Sequence, residues 1–291
     1  MPLPICYLNG EFQALERARI SPLDRGFLFG DAVYEVIPVY AGRPFRFREH
    51  FDRLARSLTE IRMSVALSHA DWATICRELI ARNGAETEDS YVYVQVSRGA
   101  EYGRNHAWPP DLAPTLFAYL TALAPVSAEL LERGVAAITA TDTRWARRDI
   151  KSTALLANVL LKKLAADAGA FETILIEDGF LTEGSSTTVH IVREGVLYTP
   201  PNGRQILPGT TREVVTELAA RLAMPNEVRP ISAQELRSAD EIWLSFSTRG
   251  VLPVTSLDGA PVGTGRPGAA FRRLHDAFLS YRLELSGVPL L

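Results

Sequence analysis

Two residues far apart in this chain could together carry amine and carboxylate chemistry, Lys151 and Glu183. Lys151 follows Arg147 and Arg148, and nearby cations can lower a lysine pKa towards the nucleophilic amine. A lysine amine can hold an aldehyde as a Schiff base and then move a proton, while a carboxylate can keep a pyridine nitrogen protonated. The two residues therefore suit pyridoxal phosphate, although alone a lysine is more commonly solvated and a glutamate among turn formers more commonly caps a turn.

A glycine-containing turn that leads into a predicted helix could bind a phosphate group. In residues 206–213 the backbone N–H groups, the helix dipole and the hydroxyls of Thr210 and Thr211 would converge on one anion. The same pattern equally fits a capping box from Thr210 to Glu213, which would satisfy those N–H groups internally. Further candidate groups are the hydroxyls of Ser247 and Thr248 and the guanidinium of Arg53.

The segment 99–114 is a long loop between two predicted strands, and loops of that length are often functional. Arg104 and His106 alternate on it and could hold a carboxylate, although both could also be ordinary solvated loop residues. Tyr34 lies on a predicted strand, where a half-buried aromatic side chain is the commoner interpretation.

The elements that must position these residues mix strands and helices, which predicts an α+β fold. Asn9-Gly10 predicts a hairpin, and apolar residues at helical spacing predict amphipathic helices. We predict residues 1–121 as an N-terminal domain, 122–127 as a linker and 128–291 as a C-terminal domain. Strands are expected at 5–9, 11–13, 32–40, 91–98, 115–120, 135–141, 171–176, 180–181, 189–192, 196–198 and 241–246, and helices at 49–63, 72–83, 128–133, 154–166, 211–222 and 271–283.

Composition narrows the class of ligand. The 291 residues are 47% apolar and carry a net charge of −3, which gives no electrostatic reason to expect nucleic acid or a membrane as partner. Cys6 and Cys76 predict buried free thiols, and the five histidines show no metal-ligand spacing, so no metal is expected. The start of the chain lacks the basic and apolar regions of a leader, and we expect a cytoplasmic protein that binds small molecules.

Taken together, several motifs in register resemble the fold-type IV pyridoxal-phosphate enzymes over nearly the whole chain. That family includes branched-chain aminotransferases, D-amino acid aminotransferases and aminodeoxychorismate lyases. The resemblance implies a small N-terminal α/β sandwich-like domain, a C-terminal cofactor-binding pseudo-barrel and a homodimer. The motifs are Asp24-Arg25-Gly26, Phe29-Gly30-Asp31, Val33-Tyr34-Glu35, Glu49-His50-Phe51-Asp52-Arg53-Leu54, Asp149-Ile150-Lys151-Ser152, Thr182-Glu183-Gly184-Ser185-Ser186 and Leu207-Pro208-Gly209-Thr210-Thr211-Arg212.

Carried over by motif, the resemblance assigns a role to each candidate residue. It implies that Lys151 binds the cofactor covalently and acts as the catalytic base, that Glu183 pairs with the pyridine nitrogen, and that Leu207 packs on the ring. Tyr34, Arg104 and His106 look like the substrate-carboxylate site of D-amino acid aminotransferases. Thr248 is a further substrate-site candidate. The resemblance also implies a phosphate site made by Arg53, Thr210, Thr211 and Ser247.

The interval from Arg98 to Arg104 is one residue longer than in the commonest form of the motif, so Arg98 is a rival carboxylate binder. The resemblance implies transamination from D-alanine to 2-oxoglutarate, with pyruvate and D-glutamate as products. The alternatives are a branched-chain L-amino acid aminotransferase, an aminodeoxychorismate lyase, and a non-catalytic binding protein that keeps the fold.

Overall fold

The computed structural model describes residues 1–286, which divide into two compact units. The first unit contains Met1–Ala124 and Ile150–Ala154, and the second contains Pro125–Asp149 and Leu155–Leu283. The sequence-based division placed residues 150–154 in the C-terminal half. In the structure this segment groups with the first unit, because its backbone hydrogen-bonds to Ala32 and Tyr34.

The first unit is built on a six-stranded sheet, counted over residues 1–286, with the strand order β2-β1-β6-β5-β3-β4. The neighbouring strands β3 and β5 run antiparallel, with Ala32 opposite Ser97 and Val39 opposite Ser90. The strands are β1 (Pro2–Leu8), β2 (Glu11–Ala14), β3 (Ala32–Tyr40), β4 (Arg43–Pro44), β5 (Ser90–Ser97) and β6 (Thr115–Ala122), and the helices are α1 (Arg25–Phe29), α2 (Phe47–Glu60) and α3 (His69–Arg82).

Strand β3 carries one buried row of side chains, because alternate residues of a strand point to the same face. Val33, Ile37 and Val39 of this row are buried in one apolar core with Phe51 of α2. Glu35 occupies the same row and is also fully buried. A carboxylate in such a row requires hydrogen-bonding partners, and these lie on α2.

The second unit contains a nine-stranded curled sheet, again counted over the described part of the chain, in which β12-β11-β10-β13-β14-β7-β8-β9 are neighbours and β15 pairs with β14. The mixture of helices and strands confirms the predicted α+β class. Its strands are β7 (Val135–Thr141), β8 (Glu172–Glu177), β9 (Phe180–Gly184), β10 (Thr188–Arg193), β11 (Val196–Thr199), β12 (Asn226–Val228), β13 (Glu241–Phe246), β14 (Gly250–Leu257) and β15 (Ala260–Pro261), and its helices are α4 (Ala128–Arg133), α5 (Leu156–Asp167), α6 (Thr210–Arg221), α7 (Ala233–Arg237) and α8 (Ala269–Ser286).

The helices predicted from apolar spacing are present with ends displaced by a few residues, whereas β14 was not predicted. This strand lies between β13 and β7 although it contains Pro253, which cannot donate to a ladder. The residue is tolerated because β14 pairs with β7 only from Val254 onwards. Within residues 1–286, no helix combines the length and the hydropathy that crossing a membrane would require.

Candidate active site

Lys151 lies in a short extended segment that runs beside β3. The Tyr34 N–H donates to the Lys151 carbonyl at 2.9 Å, and the Thr153 N–H donates to the Ala32 carbonyl at 3.0 Å. The Lys151 N–H in turn donates to Ser57 Oγ of α2 at 3.4 Å. The Lys151 Nζ lies 4.2 Å from the centre of the Tyr34 ring. The structure therefore brings together two predicted site residues, one for the cofactor and one for the substrate.

Arg53 is held by the buried carboxylate of β3. Its Nε and Nη2 donate to the two oxygens of Glu35 at 2.6 and 2.8 Å, and His50 Nδ1 lies 2.8 Å from Glu35 Oε2. Burial alone would raise the pKa of Glu35, but the charge and hydrogen bonds of Arg53 and His50 outweigh burial and leave that pKa well below its usual value. Glu35 therefore stays ionised and fixes the plane of the Arg53 guanidinium.

The guanidinium of Arg98 is engaged inside the first unit. Its Nε and Nη2 donate to Asp31 at 2.8 and 3.0 Å, and Nη2 also donates to the Ile61 carbonyl at 2.7 Å. The face of the guanidinium lies over the Trp108 ring, 3.9 Å from its centre. Arg98 thus forms a partly buried ion pair that ties the end of β5 to the segment before β3.

Arg104 and His106 are exposed on the 99–114 loop, and both contact one aromatic ring. The Arg104 Cζ lies 5.2 Å and the His106 ring centre 5.4 Å from the centre of the Phe29 ring. Tyr34 instead stacks on Tyr93 at 5.6 Å and contacts the lysine described above. The three residues predicted to bind the substrate carboxylate therefore lie in two separate groups of contacts, Arg104 and His106 on Phe29 and Tyr34 with Tyr93 and Lys151.

Glu183 is buried on β9 and is paired with a cation that the sequence analysis did not single out. Arg144 Nη1 donates to Glu183 Oε1, and Arg144 Nε and Nη2 donate to Asp142 at 3.0 and 2.7 Å. The Leu207 N–H donates to Glu183 Oε2 at 3.2 Å, so the structure brings together these two predicted cofactor residues. Burial raises the pKa of Glu183, and Arg144 opposes that rise.

The turn that follows Glu183 is organised by a second buried carboxylate, Glu172 of β8, which is 0% exposed. Its Oε1 accepts from Ser185 Oγ and from the Thr173 N–H at 2.9 Å, and its Oε2 accepts from Ser186 Oγ and Thr187 Oγ1 at 3.1 Å each. A Cβ atom on Gly184 would lie 2.1 Å from Thr187 Oγ1, so any larger residue at this position would displace the Thr187 side chain from Glu172.

Helix α6 begins at Thr210 with Gly209 as its N-cap, and no side chain caps it. The alternative of a capping box that starts at Thr210 is therefore wrong, because Gly209 occupies the N-cap position and has no side chain. The hydroxyl residues Thr210 and Thr211 instead lie in the first turn, where a helix has N–H groups without intrahelical partners. This end of α6 has the composition of an anion site.

The second pair of candidate hydroxyls lies in the turn after β13, where Ser247 and Thr248 are half-buried. This turn and the start of α6 both lie near Thr188 of β10. A Cβ atom on Gly209 would lie 2.9 Å from Thr188 Oγ1 of β10, and Thr188 pairs in register with Ser245 of β13. The start of α6 and the end of β13 therefore converge on Thr188. Arg53, the remaining phosphate candidate, belongs to the first unit.

The partners that hold the predicted site residues were missed by the sequence analysis, because each is distant in sequence from the residue it holds. Glu35 and Arg144 each pair with a predicted cofactor residue, and Glu172 orders the turn beside Glu183. One signal was available for Glu35 and Glu172. Glu35 lies within, and Glu172 at the start of, a strand of mostly apolar residues, which indicates a buried charge with partners elsewhere.

Comparison with known proteins defines the class of enzyme. Residues 32–257 match the family model for amino-transferase class IV, and the chain belongs to this family. The predicted resemblance to fold-type IV enzymes is thus confirmed, and the protein is a transaminase. Membership also implies dependence on pyridoxal phosphate.

Individual relatives refine this picture. The D-alanine aminotransferase of Bacillus licheniformis is 39% identical over 269 residues, which are 92% of this chain and 94% of that protein. The D-alanine aminotransferase of Staphylococcus aureus strain MSSA476 is 39% identical over 276 residues, 94% of this chain and 96% of that protein. Among solved structures, the Escherichia coli branched-chain amino acid aminotransferase has a TM-score of 0.88 at 28% identity, covering 96% of this chain and 94% of that chain. A fold IV-transaminase from Curtobacterium pusillum has a TM-score of 0.79 at 26% identity, covering 92% of each chain.

Proposed function

We propose that this transaminase transfers the amino group of D-alanine to 2-oxoglutarate and forms pyruvate and D-glutamate. The observation that carries the choice of substrate is the 99–114 loop, where Arg104 and His106 are exposed side by side on Phe29. Arg98, the rival carboxylate binder, donates to Asp31 and to backbone carbonyl groups. The relatives named D-alanine aminotransferase support the same choice.

The side chains of the proposed site suit each chemical group of pyridoxal phosphate. The Lys151 amine suits the aldehyde, and the Glu183 carboxylate, balanced by Arg144, suits a protonated pyridine nitrogen. When bound, this cofactor withdraws electrons from the substrate and so makes its α-proton acidic. We propose that the phosphate is held by the first turn of α6 and the hydroxyl after β13, together with the guanidinium fixed by Glu35: Thr210, Thr211, Ser247 and Arg53.

Each residue of the proposed site then has a defined task. Lys151 would act as the base, taking the α-proton from the substrate onto Nζ and releasing it again later in the reaction. Glu183 keeps its negative charge directed at one point because Arg144 and the Leu207 N–H hold its two oxygens. Arg104 and His106 hold the substrate carboxylate, so the enantiomer whose α-proton then faces Lys151 is the one that reacts.

The proposal is tested by absorption spectra of the purified holoenzyme with D-alanine and, separately, with L-leucine. We expect D-alanine to bleach the cofactor band and 2-oxoglutarate to restore it. Lys151→Ala should abolish both changes, whereas Lys163→Ala, an exposed lysine paired with Asp167, should leave them intact. Normal turnover by Lys151→Ala would contradict the assigned base.

A branched-chain L-amino acid aminotransferase is the second candidate, because the solved Escherichia coli structure with the same fold carries that name. Bleaching by L-leucine without bleaching by D-alanine would select it. Release of pyruvate from a substrate without any 2-oxo acid acceptor would instead indicate a lyase.

We also propose that the enzyme is a homodimer whose second copy covers α5. Leu156, Val159, Leu160 and Leu164 of this helix are 73%, 60%, 62% and 47% exposed, and they follow one another at helical spacing. An exposed apolar stripe of this kind is typical of an interface, and a two-fold axis lets the same stripe contact itself. Light scattering should give a mass twice the 32.0 kDa of one chain, and Leu160→Glu should reduce that mass to the mass of a single chain. A monomeric parent protein would contradict the proposal.

We place the enzyme in the cytoplasm, because Cys6 and Cys76 are both free and buried, as the sequence predicted. Unpaired cysteines are usual in reducing compartments. Recovery of the protein from an exported fraction after cell fractionation would contradict this assignment.

A further inference from the structure

The short helix α1 presents two side chains to the loop that carries Arg104 and His106. Arg25 and Phe29 stand four residues apart, so they share one face of the helix. Arg25 is 3% exposed, which is unusual for an arginine without a specific task. Its guanidinium lies 4.7 Å from the centre of the Phe29 ring.

The Arg25 side chain contacts the backbone of the loop. Nη1 donates to the Asn105 carbonyl at 2.6 Å and to Glu101 at 2.7 Å, and Nη2 donates to the His106 carbonyl at 3.0 Å. One guanidinium thus holds the two successive carbonyl groups that follow Arg104. Because these acceptors belong to the backbone, the contacts fix the path of the loop rather than one side chain.

The Phe29 ring contacts two side chains of the same segment. Arg104 and His106 both lie against its ring, at the distances given above. An arginine over an aromatic face is attracted to the electron-rich face of the ring, which favours one arrangement of its side chain. The backbone and the two side chains of this segment are therefore both ordered by α1.

Asp31 links Arg25 to Arg98, the arginine that contacts the far end of the loop at Trp108. Asp31 Oδ2 accepts from Arg25 Nε at 2.9 Å and from Arg98 Nε at 2.8 Å. Arg98 in turn stacks on Trp108. Two buried arginines that share Asp31 thus hold the loop on either side of Arg104 and His106.

We propose that Arg25 and Phe29 are positioning residues for substrate carboxylate binding, acting through the loop segment 104–106. This inference rests on the proposed role of Arg104 and His106. Both substrates of the proposed reaction carry an α-carboxylate. The contribution of Arg25 is therefore expected in both half-reactions and is independent of the substrate side chain.

The test compares Arg25→Lys with Arg82→Lys. A lysine keeps the charge but cannot reproduce the planar fork that Arg25 uses. Arg82 is a matched control, because it also pairs with a carboxylate, that of Glu78, and lies 4.7 Å from the centre of a phenylalanine ring, that of Phe12. The readouts on the holoenzyme are KM and kcat for D-alanine and 2-oxoglutarate, and the inhibition constant of propionate, which has a carboxylate but no amine.

For Arg25→Lys we expect KM for both substrates and the propionate constant to rise about tenfold or more, because small misplacements of binding groups are costly. We expect kcat and the dissociation constant for pyridoxal phosphate to change much less, which a general loss of structure would not produce. Arg82→Lys should leave all of them unchanged. Phe29→Leu should raise the same constants in the same pattern, and it decides the question if Arg25→Lys does not fold.

Arg104→Ala distinguishes a failure of the positioning proposal from a failure of the proposed carboxylate site itself. If Arg104→Ala raises KM and the propionate constant while Arg25→Lys and Phe29→Leu do not, positioning by α1 is wrong and the proposed carboxylate site stands. If Arg104→Ala raises neither constant, the carboxylate binds elsewhere, and both proposals are overturned.

Discussion

Replacing Glu172 by Gln tests how far the surroundings of Glu183 depend on one buried carboxylate. Glu172 accepts hydrogen bonds on both oxygens, including one from the Thr173 N–H on Oε1 at 2.9 Å and one from the Ser186 N–H on Oε2 at 3.4 Å. A glutamine has one acceptor oxygen and one donor nitrogen. Whichever way the amide turns, its NH2 group must face a backbone N–H, whereas the serine and threonine hydroxyls can rotate to accept.

The cost follows from these contacts. One backbone N–H left without an acceptor in a buried site costs about 1–3 kcal/mol, and a hydrogen bond to a charged group is worth about 1 kcal/mol more than a neutral one. We therefore expect a loss of about 2–4 kcal/mol. For a chain of this length, this corresponds to a decrease of about 4–8 °C in the thermal unfolding midpoint.

The assay is thermal unfolding followed by circular dichroism, with and without pyridoxal phosphate. Glu227→Gln is the control, because Glu227 is 60% exposed and its ion pair with Arg229 is 3.7 Å long. Its midpoint should stay within about 1 °C of the parent, as is usual for an exposed pair. Cofactor affinity should also fall in Glu172→Gln, since the turn it orders follows Glu183 directly. A midpoint as high as that of Glu227→Gln would refute the reasoning.

Three further results are expected. The pKa of Glu235 is lowered to about 2, first by its hydrogen bond with Arg229, so its stabilisation is complete above its ordinary pKa of 4.5 and is lost as the pH falls towards 2. The difference in unfolding midpoint between the parent and Glu235→Gln should accordingly shrink over that range, and a constant difference would contradict this. Glu35→Gln should cost about 3 kcal/mol or more, because it leaves the buried Arg53 facing a neutral amide, and it should weaken pyridoxal phosphate binding in a fluorescence titration; unchanged stability and binding would exclude this role. Burial raises the pKa of Cys76 to about 12, so iodoacetamide at mildly alkaline pH should label it only after denaturation, and rapid labelling of the native protein would count against its burial.

Candidate site residues that lie in a short local pattern could be proposed from the sequence. The turn before α6 is an example, because a glycine followed by two threonines at a helix start already specifies where an anion can bind. The same holds for Glu183 and Leu207, which lie in short motifs and are joined in the structure by one hydrogen bond. What could not be read locally was the choice between a capping box that starts at Thr210 and a helix that has Gly209 as its N-cap.

The supporting contacts could not be read from the sequence, because they join residues that are distant in the chain. Arg25 reaches the His106 carbonyl across 81 positions, and Arg144 reaches Glu183 across 39. No periodicity connects such residues, and the register that brings them together is set by the packing of whole strands. The segment 150–154 is a similar case, since only its pairing with β3 places Lys151 beside Tyr34.

Three charged candidates of the site share one arrangement: each is buried and each has a buried or partly buried partner of opposite charge. Arg53 is paired with Glu35, Glu183 with Arg144, and Arg98 with Asp31. Such pairs contribute little to net stability, because desolvation offsets most of their attraction, and apolar residues of similar size can replace them without loss. Stability alone therefore does not explain why they are found at these positions. A charge held by a partner of opposite sign keeps one direction, and this is the property that the proposed roles of Arg53 and Glu183 would require.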